Sequence, residues 1–274
     1  MEEQARQVKS GNVVHIHRKI HQTAIVSPRA VLGKNVEIGP YAIVGDNVEI
    51  GDNTIIGPHC VIEGWTRIGA NNRIYAGAVV GNEPQDLKYK GEKSYLFIGD
   101  GNIIREYATI SVGTQDGGGE TRLGNHNLIM SYVHVAHDCQ IGNNVIISHG
   151  TGIGGHVIIE DSAVIGGLSG VHQFTKIGKM AMLGAHSMVT MDVPPFFMVD
   201  GNPAKVYGIN IVGLRRNGII PEVRAQIKHA FKILYRSNLN VTQAIEQMEQ
   251  ELTGVPEIDH LLRFLRGSQR GICG

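Results

Sequence analysis

The chain has 274 residues, with 25 basic and 25 acidic side chains, enough for one large domain plus a small one and with no sign of a nucleic-acid binder. Aromatic residues make up only 5% while glycines number 36, which disfavours a layered core and suits a narrow aliphatic interior with many tight turns. Three widely spaced cysteines, Cys60, Cys139 and Cys273, give no disulfide framework and fit a cytoplasmic setting.

Residues 1–12 lack the apolar core of a signal peptide and read as an N-terminal arm. No stretch reaches the roughly 18 apolar residues of a transmembrane span. From Ile20 an aliphatic residue returns every sixth position: Ile20, Val26, Leu32, Ile38, Val44, Ile50, Ile56, Ile62, Ile68, Ile74 and Val80. Glycine often follows, as in Leu32-Gly33, and small residues such as Ala42, Thr54 and Cys60 sit four places on. A six-residue period is not helical. It suits short strands joined by Gly-Asp and Gly-Asn turns, stacked so that each turn of a β-helix buries its neighbours' aliphatic residues. Three hexads close one triangular turn in proteins of this pattern, so residues 18 apart stack.

Residues 82–95 are polar and out of period, which predicts an excursion from the coil. The series resumes at Ile98, Ile104 and Ile110, then slips by one place across Gly113–Glu120 and continues from Leu123 to Val189. The repeat domain is thus expected over 13–195. Residues 196–213 read as an irregular linker. From Pro221 the apolar spacing turns helical, with a second run from about Thr242 and a third helix over Ile258–Leu265, so 196–274 form a linker and a helical domain.

Five histidines stand in one part of the second series: His134, His137, His149, His156 and His172. An 18-residue turn puts His137 under Gly155, with His156 one place further round. Histidine titrates near neutral pH and can take a proton from a sugar hydroxyl. Asp138 can orient His137, and a glycine at 155 lets a backbone N–H approach an oxyanion. The bland alternative is a set of solvated turn histidines. A metal reading also stands, because neutral imidazoles at subunit interfaces hold zinc in gamma-class carbonic anhydrase, another hexapeptide-repeat enzyme. In the excursion, Asp86 can accept a hydroxyl hydrogen bond and Lys88 can neutralise a phosphate. Arg215 and Arg216 can bind a diphosphate.

Several segments together carry a family resemblance. They are QDLKY at Gln85–Tyr89, GGG at Gly117–Gly119, HVAHDC at His134–Cys139, GHV at Gly155–Val157, VHQF at Val171–Phe174, DVPP at Asp192–Pro195 and NIVGLRR at Asn210–Arg216. In this order and spacing the chain resembles, over about residues 13–254, the acyl-[acyl-carrier-protein]–UDP-N-acetylglucosamine O-acyltransferases, which begin lipid A synthesis. The resemblance implies a mainly β fold, a left-handed parallel β-helix with a C-terminal α-helical domain. It implies transfer of a 3-hydroxyacyl chain from acyl carrier protein to the 3-hydroxyl of UDP-N-acetylglucosamine, by a homotrimer with no metal or other cofactor. On that pattern His137 is the general base, Asp138 its partner and the Gly155 N–H the oxyanion donor. Asp86, Lys88, His134 and His156 lie around the sugar and acyl chain. His172, Gln173, Asn210 and Arg216 contact the acyl chain or the UDP portion.

Two departures matter. Val212 stands where members often carry glutamate, removing one expected nucleotide contact. Ala185 stands where some carry glycine at the end of the acyl groove, and its methyl is expected to shorten the chain accepted. An acceptor with a 3-amino group in place of the hydroxyl remains open. The related N-acyltransferase is disfavoured, because a repeat beginning by Ile20 leaves no room for its N-terminal uridine-binding domain.

Overall fold

The computed structural model describes residues 19–274, so the arm expected at 1–12 lies outside the described residues. Most hexads contribute a strand of only two residues, such as Glu37–Ile38, Ile43–Val44 and Glu49–Ile50, followed by a corner. Successive strands go to three different sheets, which form the faces of a triangular prism. The first face begins at Lys19–Ile20, the second at Ile25–Val26 and the third at Val31–Leu32. Pairing within each coil sheet is parallel and joins residues 18 apart, as where Ile43 lies beside Val61 and Val61 beside Val79.

The six-residue period supplies the interior. Ile56, Ile62, Ile74, Val80, Ile104 and Ile110 are buried, as are the small residues Ala42, Thr54, Cys60 and Ala78 that face the inner corners. No turn buries its aliphatic residues alone; the next turn covers them. Many corners hold a non-glycine residue in the left-handed region, among them Asn53, Asp138, His156 and Phe174, with φ of 57°, 60°, 60° and 64°. All three cysteines are buried and free.

Both interruptions leave from the corner between the second and third faces. The excursion is narrower than expected, at 83–94. Asn82 ends the strand Val79–Asn82 beside Ser111, and Tyr95 opens the strand Tyr95–Ile98 beside Trp65. Across it Val79 pairs with Thr109 at a separation of 30 rather than 18. Across the second interruption Thr109 pairs with His134 at a separation of 25. This second loop contains a single 3-10 turn, Gln115–Gly117, capped by Thr114.

The linker at 196–213 is more ordered than its sequence suggested. Phe197–Asp200 adds a strand to the first face beside Met182–Leu183, then pairs antiparallel with Lys205–Ile209. Phe197 is buried and packs on Phe231 and Tyr235, which anchors the hairpin by packing more than by periodicity. Helix α1 (Ile211–Arg216) follows, then α2 (Pro221–Arg236), α3 (Val241–Glu251) and α4 (Pro256–Arg266). Asn240, rather than Thr242, starts α3: its side chain and that of Gln243 form a reciprocal capping box. The helices share a second core with Met180 and Phe196, so they pack against the last turns of the coil. The chain end ties the two parts together. Asp192 exchanges backbone bonds with Gly271 and Cys273, and the Tyr235 hydroxyl donates to the Cys273 carbonyl.

Candidate active site

The corner between the second and third faces gathers the polar chemistry. His137 Nδ1 lies 2.7 Å from Asp138 Oδ2. A carboxylate only accepts, so Nδ1 donates, and in the neutral imidazole Nε2 keeps its lone pair. The Asp138 side chain is fully enclosed. Its Oδ1 accepts from the Thr114 N–H at 2.9 Å and its Oδ2 from the Thr114 hydroxyl at 2.6 Å. One turn on, a Cβ added to Gly155 would lie 2.7 Å from His137 Cε1 and 2.8 Å from Nε2. Glycine is therefore what lets the imidazole lie against this backbone. Among the described residues the Gly155 N–H has no acceptor.

His156 stands edge-on to His137, with ring centroids 5.1 Å apart at 88°. Its other face stacks on Phe174 at 4.3 Å and 10°. Burial pushes His156 below the ordinary histidine value; Asp138 and Asp86 oppose the shift, while His137 and Lys88 add to it. The excursion thus brings Asp86 and Lys88 within electrostatic range of the imidazoles. The Asp86 carboxylate also accepts from the Lys88 N–H, which shapes the loop. On the second face His134 Nδ1 lies 2.7 Å from the Thr109 hydroxyl. Burial, and then the nearby His137, pushes His134 down as well. Both shifts favour the neutral imidazole.

The other expected residues lie further out. His172 and Gln173 occupy the same corner one turn beyond Gly154 and Gly155, where Gly154 approaches the Gln173 backbone. Ala185 is exposed at the far edge of the second face. Between these edges the second face is bare at Gly152 and Gly170, which pair with His134 and Met188. Arg216 is exposed in the last turn of α1. Asn210 is engaged within the protein. Its amide is buried, accepting from the Gly213 N–H and donating to the Met180 carbonyl, so both ends serve to hold α1. Thr114 and the glycine pair 152/170 were not singled out from sequence, although Thr114 stands within the frame slip.

His137, Asp138 and His156 offer three potential metal-ligand atoms within 4.8 Å of one another. The donor set suits hydrogen bonding better than ligation. Asp138 Oδ2 already accepts from Thr114 and faces His137 Nδ1, and His156 Nε2 is 3.8 Å from it. Cys139, one residue away, is no nucleophile either, because burial pushes its thiol up to about 12.

Residues 29–64, 47–82 and 120–155 match the bacterial transferase hexapeptide family, and residues 192–273 match the family described as UDP N-acetylglucosamine O-acyltransferase, domain 2. The acyl-[acyl-carrier-protein]–UDP-N-acetylglucosamine O-acyltransferase of Anaeromyxobacter sp. (strain Fw109-5) is 51% identical over 92% of this chain and 98% of its own length. The enzyme of the same name from Thermodesulfovibrio yellowstonii is 51% identical over 93% and 99%. The solved structure of LpxA from Acinetobacter baumannii is 45% identical, covers 93% of this chain and 99% of that one, and superposes with a TM-score of 0.91. The coil accordingly winds left-handed. With these likenesses running through both the coil and the helical domain, the chain belongs to the acyl-[acyl-carrier-protein]–UDP-N-acetylglucosamine O-acyltransferase family.

Proposed function

We propose that the chain transfers a 3-hydroxyacyl group from acyl carrier protein to the 3-hydroxyl of UDP-N-acetylglucosamine, the first step of lipid A biosynthesis, with His137 as general base. The observation that carries this reading is the His137 imidazole, held at Nδ1 by an enclosed Asp138 and laid against Gly155. Nε2 takes the proton of the sugar hydroxyl as its oxygen attacks the thioester carbonyl. The new C–O bond forms, and the developing oxyanion meets the Gly155 N–H. Collapse breaks the C–S bond, and the departing thiolate takes the proton back from His137.

The surrounding residues divide the substrate between them. Asp86, Lys88, His134 and His156 hold the sugar and the start of the acyl chain. His172 and Gln173 extend that contact, and Arg216 meets the diphosphate, positioned by the cap that Asn210 places on α1. The bare strip at Gly152 and Gly170 suits an acyl chain. Met188 lies over Gly170, its sulfur 3.1 Å from where a Cβ would stand, and Ala185 adds a methyl at the same edge. Both favour a short chain. A homotrimer is supported by Leu87, fully exposed on the excursion, and by Ile25, Ile43 and Val31 exposed on the two faces that meet at the site. Reduced, buried cysteines fit the cytoplasm, where acyl carrier protein is found. No helix among the described residues is long and apolar enough to cross a membrane.

The test incubates the protein with hydroxyacyl carrier proteins of graded chain length and either UDP-N-acetylglucosamine or its 3-amino analogue, with products read by mass spectrometry. Transfer to the hydroxyl from a short donor is expected, with Ala185→Gly shifting preference to longer chains. His137→Ala should lower turnover about 100-fold or more while the protein stays folded. No transfer from any donor overturns the reading; near-normal turnover of His137→Ala overturns the choice of base.

A further inference from the structure

The second interruption brings one more side chain to the dyad. Thr114 is 5% exposed, and both its donors are spent on one group, the N–H on Asp138 Oδ1 and the hydroxyl on Oδ2. The direction of that hydroxyl is itself set. Thr114 Oγ1 accepts from the Gly117 N–H at 3.2 Å, which points its hydrogen at the carboxylate. The loop wraps so closely that a Cβ at Gly117 would fall 2.1 Å from Asp138. From the opposite side the Asp138 N–H donates to the Thr121 hydroxyl at 2.8 Å.

We infer that Thr114 is a positioning residue for the acyl transfer: it locks the Asp138 carboxylate in the rotamer that holds His137 with its proton on Nδ1 and its lone pair on Nε2. This rests on the reading of His137 as the base. Among the described residues the carboxylate has no other side-chain donor besides the two imidazoles. Without the Thr114 hydroxyl it can turn about its own axis, and Oδ2 then either leaves Nδ1 or is shared with His156, 3.8 Å away. A base with the wrong tautomer carries its hydrogen where the sugar hydroxyl must deliver one. Thr114 acts through Asp138 and touches no substrate. The seven residues that put the aliphatic series out of step serve, on this account, to deliver one hydroxyl and one N–H to a carboxylate in the next turn.

The experiment compares Thr114→Ser, which keeps the hydroxyl, with Thr114→Val, which removes it at nearly constant volume. Turnover is measured with hydroxyacyl carrier protein and UDP-N-acetylglucosamine, and the tautomer of His137 is read from the nitrogen resonances of 15N-histidine-labelled protein. The valine variant is expected to lose about 10- to 100-fold in kcat, with KM for the sugar nucleotide changed by less than about threefold and the Nδ1–H tautomer giving way to a mixture. The serine variant should recover both. A second measurement covers the case in which valine loosens the loop: in an Asp138→Asn background, Thr114→Ser and Thr114→Ala should have the same kcat, because Thr114 has no carboxylate left to act through. An unchanged kcat in Thr114→Val, a loss with the tautomer intact, or a further loss for Thr114→Ala in the Asp138→Asn background overturns the inference. If His137→Ala keeps its turnover, the base assignment fails whatever Thr114 does, so the two failures are distinguishable.

Discussion

Asp138 shows how much a single residue in this coil is asked to do. It occupies a left-handed corner with φ of 60°, its carboxylate has no contact with solvent, and two donors from Thr114 and one from His137 converge on it. Left-handed backbone costs a non-glycine residue roughly 1–2 kcal/mol, and the hydrogen bonds to the carboxylate offset that cost. The neighbouring imidazoles leave a signature in stability. His134 and His156 titrate below the ordinary histidine value, mainly because they are buried. Above about pH 6.5 folded and unfolded chains both hold them neutral. As pH falls further, the unfolded chain takes protons that the folded one refuses, so stability declines until the lowered values are passed. Thermal unfolding between pH 7 and 5 should show this fall, and His134→Gln should flatten part of it. An identical slope in the variant would remove burial of His134 as its cause.

At the scale of elements, the two interruptions differ in a way that decides how readable each is. The first shifts the pairing from 18 to 30, a whole number of hexads, so the aliphatic series passes through it in phase. Only its polarity betrays it, and the boundaries drawn at 82 and 95 were each one residue too wide. The second shifts the pairing to 25 and throws the series out by one, which made it visible at once. What it carries was not visible, because Thr114 and Asp138 are 24 apart and meet only through that shift. His137 and Gly155 were legible as a stacked pair because no interruption separates them. The hairpin at Phe197–Ile209 and helix α1 were missed, since packing on Phe231 and Tyr235 holds them more than a periodic pattern does. The in-phase length of the first loop gives a clean test. Deleting 83–94 joins Asn82 to Tyr95 without disturbing the series, so the coil should keep its circular dichroism and melt within a few degrees of the parent. Acyl transfer should be lost with Asp86 and Lys88. Retained transfer would mean that the excursion lies outside the site.

The described residues form a solenoid tied at one end by a hairpin, four helices and a returning tail. The proposed site sits on an edge, with one wall of acid–base residues and one bare lane at Gly152 and Gly170. A neighbouring subunit would close it. Light scattering should give about three times the chain mass of 29.7 kDa, and a monomer at assay concentrations would show instead that one chain builds the whole site. The corners have a further consequence for how such a site can arise. Among the described residues they hold Asn, Asp, His, Tyr, Phe, Ser, Leu and Met in the left-handed region, and no valine, isoleucine or threonine, the branched residues that this backbone penalises most. In a saturation library those three should drop out at every corner, including ones that touch nothing. Histidine and aspartate pass that filter, so random change can reach a new proton-handling group at an edge of the prism more readily than on its faces.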